Sequence, residues 1–183
     1  MKGRWAAGIA PRNFAWIIKD QLAISERPGG YARAHRPVRR QEEIIWIREQ
    51  HFSRIVSLLA SPHNLHAYDE LGVAWEHLPL PVDDVESYLA DLYRRLRSWL
   101  IRGERLLVHH EELGDQLQGV MAGYLLYTGL VPLPAQAIAV VEAINQRQMG
   151  PPGRELVAVA ANLRGAVGAD GEADGGAKAA EDR

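Results

Sequence analysis

An α/β domain is the fold class this sequence predicts, and three observations predict it. Short apolar runs of strand character, such as Arg54 to Leu59 (RIVSLL), alternate along the chain with runs whose apolar residues recur at helical spacing, such as Val85 to Arg102. The stretch Leu106 to Tyr124, LLVHHEELGDQLQGVMAGY, passes from a buried-strand pattern through a turn containing Gly114 into a helical pattern carried by Leu117, Val120, Met121, Tyr124, Leu125 and Thr128. A strand, a tight loop and a helix in that order aim backbone N–H groups at an anion. The 47% apolar content over 183 residues is enough for one domain with a core.

Residues 1–12 read as a loosely held arm, and the domain is placed at residues 13–164. Asn13 to Ser25 predicts two short strands around a Lys19-Asp20 turn, with Phe14, Trp16 and Ile18 alternating, and Arg27 to Gly30 is a turn signal. Tyr31 to Arg40 is a basic segment read as a solvated loop. Gln41 to Gln50 is expected to form a short helix burying Ile44 and Ile47. Strand Arg54 to Leu59 follows, then a helical turn over Leu65 to Leu71 stopped by Gly72, and strand Val73 to Leu80. Asp83 or Asp84 caps the clearest helix, Val85 to Arg102, with Leu89, Leu92, Leu96 and Trp99 inward and Arg94, Arg95 and Arg97 outward. Strand Arg105 to His109 leads into the loop and its helix. Pro134 opens another helix reaching Gln148, Met149 to Gly153 reads as a turn, and Arg154 to Leu163 as a last short helix. Residues 165–183, rich in Gly, Ala and acidic residues, predict a disordered tail.

Composition excludes several chemistries. With no cysteine there is no disulfide and no thiolate nucleophile. No apolar run approaches the roughly 20 residues of a bilayer span and no signal-peptide pattern opens the chain, which leads to the expectation of a soluble, cytoplasmic protein without membrane contact. The net charge of −2 conceals an asymmetry: residues 1–54 hold 11 Lys and Arg against 5 Asp and Glu, and the remainder 10 against 18.

The stretch from His109 to Gln118 resembles the phosphate-binding loop of the cysteine-dependent protein tyrosine and dual-specificity phosphatases, H-C-x-x-G-x-x-R-[ST]-G between an apolar strand and an apolar helix. On that pattern His109 matches the histidine, His110 stands at the nucleophilic cysteine, Leu113 at the loop glycine, and Gln116 at the phosphate-clamping arginine. The run Asn13 to Gly30 resembles the aromatic strand, hairpin and S-x-R-P-like turn with which dual-specificity phosphatases open. The resemblance runs to about Leu163. It implies a central, mostly parallel sheet flanked by helices on both faces, protein-tyrosine-phosphatase-like, with the loop at the sheet's C-terminal edge. It also puts Asp83 one residue beyond the position of the family's general acid.

The loop, His109, His110, Glu111, Glu112, Leu113, Gly114, Asp115 and Gln116, carries three carboxylates and no cation. Two like charges about 4 Å apart repel by about 4 kcal/mol at an effective dielectric of 20, so these side chains are expected to fill the cradle and disfavour phosphate. The expectation is a catalytically inactive phosphatase-like domain that works in binding, scaffolding or regulation with a protein partner, and that needs no cofactor and no metal. Two alternatives remain open. One is a hydrolase using the His/Glu-rich loop, metal-assisted or His-based. The other is an electrostatic binder of phosphoprotein or, less favoured, nucleic acid through Arg33, Arg36, Arg39 and Arg40; Tyr31 is the segment's sole aromatic for stacking.

Overall fold

The computed structural model describes residues 8–30 and 36–172. Strands β1 (Ala15–Ile18) and β2 (Leu22–Glu26) form the expected hairpin, and Asp20 at its turn has a positive φ of 61°. Helix α1 (Pro37–Glu49), β3 (Arg54–Ser57), α2 (His66–Glu70) and β4 (Trp75–His77) follow, then α3 (Val85–Ile101), β5 (Leu106–His110) and α4 (Asp115–Tyr127). Helices α5 (Pro134–Asn145) and α6 (Pro151–Glu172) complete the described chain. The described strands make a five-stranded sheet in the order β1-β2-β5-β3-β4. Only the β1-β2 pair is antiparallel; β2-β5, β5-β3 and β3-β4 are parallel.

Alternation along the strands divides the core in two. Leu106 and Val108 join Ile24, Val56 and the inner faces of α3, α4, α5 and α6, whereas Leu107 joins Ala23, Ile55, Ile44, Ile47, Phe52 and Leu59 beneath α1 and α2. Both sheet faces are therefore covered, as a parallel sheet requires. Helix α3 buries Leu89, Leu92, Leu96 and Trp99 as expected, and Tyr93 with them, because the Tyr93 hydroxyl finds the Val120 carbonyl at 2.9 Å. Trp99 lies in the core; Trp16, Trp46 and Trp75 are half-buried on the α1 side, where Phe14, Trp16, Trp46 and Phe52 pack ring on ring. Among the described residues no helix is long and apolar enough to cross a membrane.

The structure corrects several boundaries. Helix α1 starts at Pro37, so Arg39 and Arg40 stand on its first turns rather than in a loop; Pro suits N1, where no intrahelical N–H is needed. Arg33 lies outside the described residues. The described part of the N-terminal arm is pinned, with the Ile9 N–H on the Glu42 carbonyl at 3.3 Å and the Glu26 N–H on the Arg12 carbonyl at 2.9 Å. The expected turn at Met149 to Gly153 is helical from Pro151, because Gly153 serves as a contact surface: a Cβ built on Gly119 of α4 would lie 2.5 Å from the Gly153 carbonyl oxygen. Helix α6 also runs past Leu163 to Glu172, through Ala-rich sequence with no Pro to stop it, so residues 165–172 of the expected disordered tail are helical. Residues 173–183 lie outside the described residues.

Glu43 shows how the charged N-terminal segment is used internally. Its side chain is 1% exposed and accepts from the Gly29 N–H at 2.6 Å and from Arg39 Nε at 2.6 Å, which ties the turn after β2 to α1. Glu43→Ala should lower the unfolding free energy by about 2 kcal/mol in urea titrations, because a buried N–H is left without an acceptor. Glu43→Gln, which keeps an oxygen there, should cost less.

Candidate functional site

The site is built where β5 ends and α4 begins. Strand β5 is shifted one residue from the expected span and ends at His110, which pairs in register with Glu26 and whose carbonyl accepts the Arg27 N–H at 2.8 Å. The hairpin thus reaches over the loop and holds it, and Glu26 Oε1 also accepts the Leu113 N–H at 3.3 Å. Residues Glu111 to Gly114 cross to α4, whose N-cap is Gly114; no side chain caps it there.

The adjacent histidines have different surroundings. His109 faces α1 and α2, in register with Ser25 of β2 and Ser57 of β3, and its ring centre is 6.1 Å from that of Tyr68. It is 1% exposed and neither ring nitrogen has a hydrogen-bond partner. Burial foremost, with Arg27, His110 and His77 adding to it, pushes its pKa down to about 3, so the ring is neutral. His110 is half-buried. Burial lowers its pKa too, against the opposing pull of Glu111 and Glu112.

Two of the loop's three carboxylates are paired with arginines from elsewhere in the chain. Glu111 meets Arg27 Nη1 at 3.1 and 3.2 Å, and this arginine side chain is only 13% exposed. Asp115 Oδ1 accepts from the Gly150 N–H at 3.0 Å and Arg147 Nη1 at 2.8 Å, and these two contacts hold its pKa below the ordinary value. Buried Gln118 completes the second anchor: with its amide turned so that both atoms are satisfied, the nitrogen donates to the Arg147 carbonyl at 3.1 Å and the oxygen accepts from Nη1 at 2.7 Å. Local sequence gave no sign of either cation. Arg27 could have been found, however, from the hairpin whose end pairs with β5.

Gln116 is exposed on the first turn of α4 and lines an open cleft of about 450 Å³. The other walls are Leu80, Pro81, Val82 and Val85 from the segment before α3, and Pro152, Glu155, Leu156 and Val159 of α6. The α6 wall was missed, since its residues carry no motif. Asp84 is the α3 N-cap, in the left-handed region at φ 53° with its carboxylate 3.4 Å from the Ser87 N–H, while Asp83 is exposed beside it. Val82, at the family's acid position, is 94% exposed.

Among the described residues, the arginines of residues 31–40 have different surroundings. Arg36 is exposed at the start of α1, Arg39 is held by Glu43, and Arg40 turns into a separate pocket with Arg27. Among the described residues no three His, Asp or Glu side chains converge as metal ligands.

The sequence matches no model of a known protein family and no curated protein. Its architecture, in contrast, recurs in solved structures. Tk-PTP in its active form shares 17% identity at a TM-score of 0.66, over 82% of this chain and 97% of that one. Kinase-associated phosphatase with its catalytic cysteine replaced by serine shares 19% at 0.69, over 84% and 97%. Human DUSP28 shares 14% at 0.63, over 87% and 99%. The five-stranded mixed sheet with its flanking helices is thus the fold of the protein tyrosine and dual-specificity phosphatases.

Proposed function

We propose that this chain is a degenerate member of the protein tyrosine and dual-specificity phosphatase family, a domain that has the fold without the reaction and acts by binding a protein partner. The observation that carries the reading is the absence of cysteine from the whole sequence, in a chain that keeps the strand, loop and helix on which that residue would be mounted. Phosphoryl transfer to the enzyme needs a nucleophile activated as an anion and a cation to hold the equatorial oxygens. His110 offers a neutral, half-buried imidazole. Gln116 offers a neutral amide where charge-assisted bidentate bonds would be about twice as strong. The paired arginines nearby do not replace the clamp: Arg27 and Arg147 are engaged by Glu111 and Asp115.

Support for binding comes from the cleft beside the loop, whose walls are mostly apolar and whose size is that of a ligand pocket. Aryl phosphate turnover by the purified chain is expected to equal that of His110→Ala, at the rate of the buffer. Turnover well above that variant, or tungstate seated between residues 110 and 116 in soaked crystals, would sink the inactive reading.

A further inference from the structure

The open cleft beside the loop has two walls of different make. On one side α6 presents Glu155, Leu156 and Val159; on the other runs the segment Leu80-Pro81-Val82 that leads towards α3. Among the described residues, that segment makes no backbone hydrogen bond. The last one before it joins the Leu78 N–H to the Ser57 carbonyl at 2.9 Å, and the next after it joins the Tyr88 N–H to the Asp84 carbonyl at 3.2 Å. Backbone N–H and C=O groups are strong hydrogen-bonding groups, so residues 80–82 keep main-chain donors and acceptors for an outside partner.

The charges at the cleft have one sign. Glu155 lines it, and Asp83, Asp84 and Glu86 follow Val82 along the other wall, all four exposed. None of the four belongs to an ion pair among the described residues, and Asp84 accepts only the Ser87 N–H. Arg154, next to Glu155 in the chain, is held by Glu142 at 3.0 Å, and Arg147 is held by Asp115, the neighbour of Gln116, at 2.8 Å. Both of these cations are thus already neutralised.

We propose that the cleft takes an extended, unphosphorylated peptide segment of a protein partner, with an apolar side chain between Val82 and Leu156 and a lysine or arginine beside it facing Glu155 and Asp83. This deepens the binding role proposed above and rests on it. The main chain of residues 80–82 fits another extended backbone, and the apolar walls fit an aliphatic or aromatic side chain. Charge complementarity chooses the flank: four carboxylates favour a basic residue and repel a phosphoryl group, which carries about −1.5 to −2 charges.

Fluorescence anisotropy of the full chain with four pools of labelled synthetic decapeptides tests this. Every pool shares a centre randomised over leucine, isoleucine, valine and phenylalanine, and the flanks are lysine and arginine, serine, glutamate, or phosphoserine. The basic pool should bind several-fold tighter than the serine pool, the glutamate and phosphoserine pools should bind weakest, and the spread should narrow as salt is raised. Glu155→Lys should remove most of the preference, whereas Glu70→Lys, the same change of net charge on α2 across the sheet, should leave it. Val82→Ser, at a position 94% exposed, should weaken all pools alike. Equal affinities, tightest binding of the phosphoserine pool, no binding by any pool, or a preference that survives Glu155→Lys as fully as Glu70→Lys would each overturn the proposal. The inactive reading is tested apart from these, by aryl phosphate turnover against His110→Ala, so each can fail without the other.

Discussion

Gly119→Ala should destabilise the protein by about 2 kcal/mol or more, the reverse of what the same change does on an open helix. On helix propensity alone alanine gains about 1 kcal/mol over glycine. Here the added Cβ meets the Gly153 carbonyl oxygen at 2.5 Å and the Gly153 Cα at 2.7 Å, both backbone atoms that cannot rotate aside. Helix α4 cannot retreat, since residues 117–126 are all buried. The only relief is to push α6 away, which opens the packing along its whole length, and overpacking a filled interior costs about 1–3 kcal/mol, occasionally more. The clash therefore outweighs the propensity gain. Urea titration reads the outcome directly. A variant as stable as the parent would show that α4 and α6 stand further apart than the Gly119 and Gly153 contact requires.

Acidification should weaken the fold well before its carboxylates titrate. The His109 pKa is about 3 in the folded protein and about 6.5 in an unfolded chain. Between those values the unfolded state binds more protons, so stability falls as the pH falls, by about 1.4 kcal/mol per unit, and is fully present only above about pH 6.5. From about pH 6.5 to about pH 4.5 the loss should reach roughly 2–3 kcal/mol. His110 acts in the same direction. The depressed carboxyls, Asp115 and Glu104, contribute stability that is lost only as the pH falls below the ordinary carboxyl range, so they leave this window largely clear. Denaturant titrations across it should show the slope, and His109→Leu, an apolar replacement of similar size, should remove most of it. An unchanged slope in that variant would place the titrating group elsewhere.

Neither prediction follows from the sequence alone. Gly119 and Gly153 are small residues in segments read correctly in one case and as a turn in the other, and nothing local says that they touch. His109 could be placed on a strand from its neighbours Leu106, Leu107 and Val108, but its isolation depends on Tyr68 and on the helices above it. The basic segment shows the same limit: composition groups Arg33, Arg36, Arg39 and Arg40, but it does not record that Glu43 takes Arg39 or that Arg40 lines a pocket with Arg27.

By itself the sequence determined the order and type of the elements from β1 to α5, an acidic cap at Asp83 or Asp84, and the impossibility of thiolate chemistry. These are matters of periodicity, short-range capping and composition, which are written within a few neighbouring residues. Only the tertiary structure decided that two of the loop's carboxylates are paired, with arginines 84 and 32 positions away in the chain. The physical reason is the strand order. Placing β2 beside β5 brings Arg27 to Glu111, and folding α5 and α6 across α4 brings Arg147 to Asp115, so the charge of the loop is set by contacts that no local pattern records.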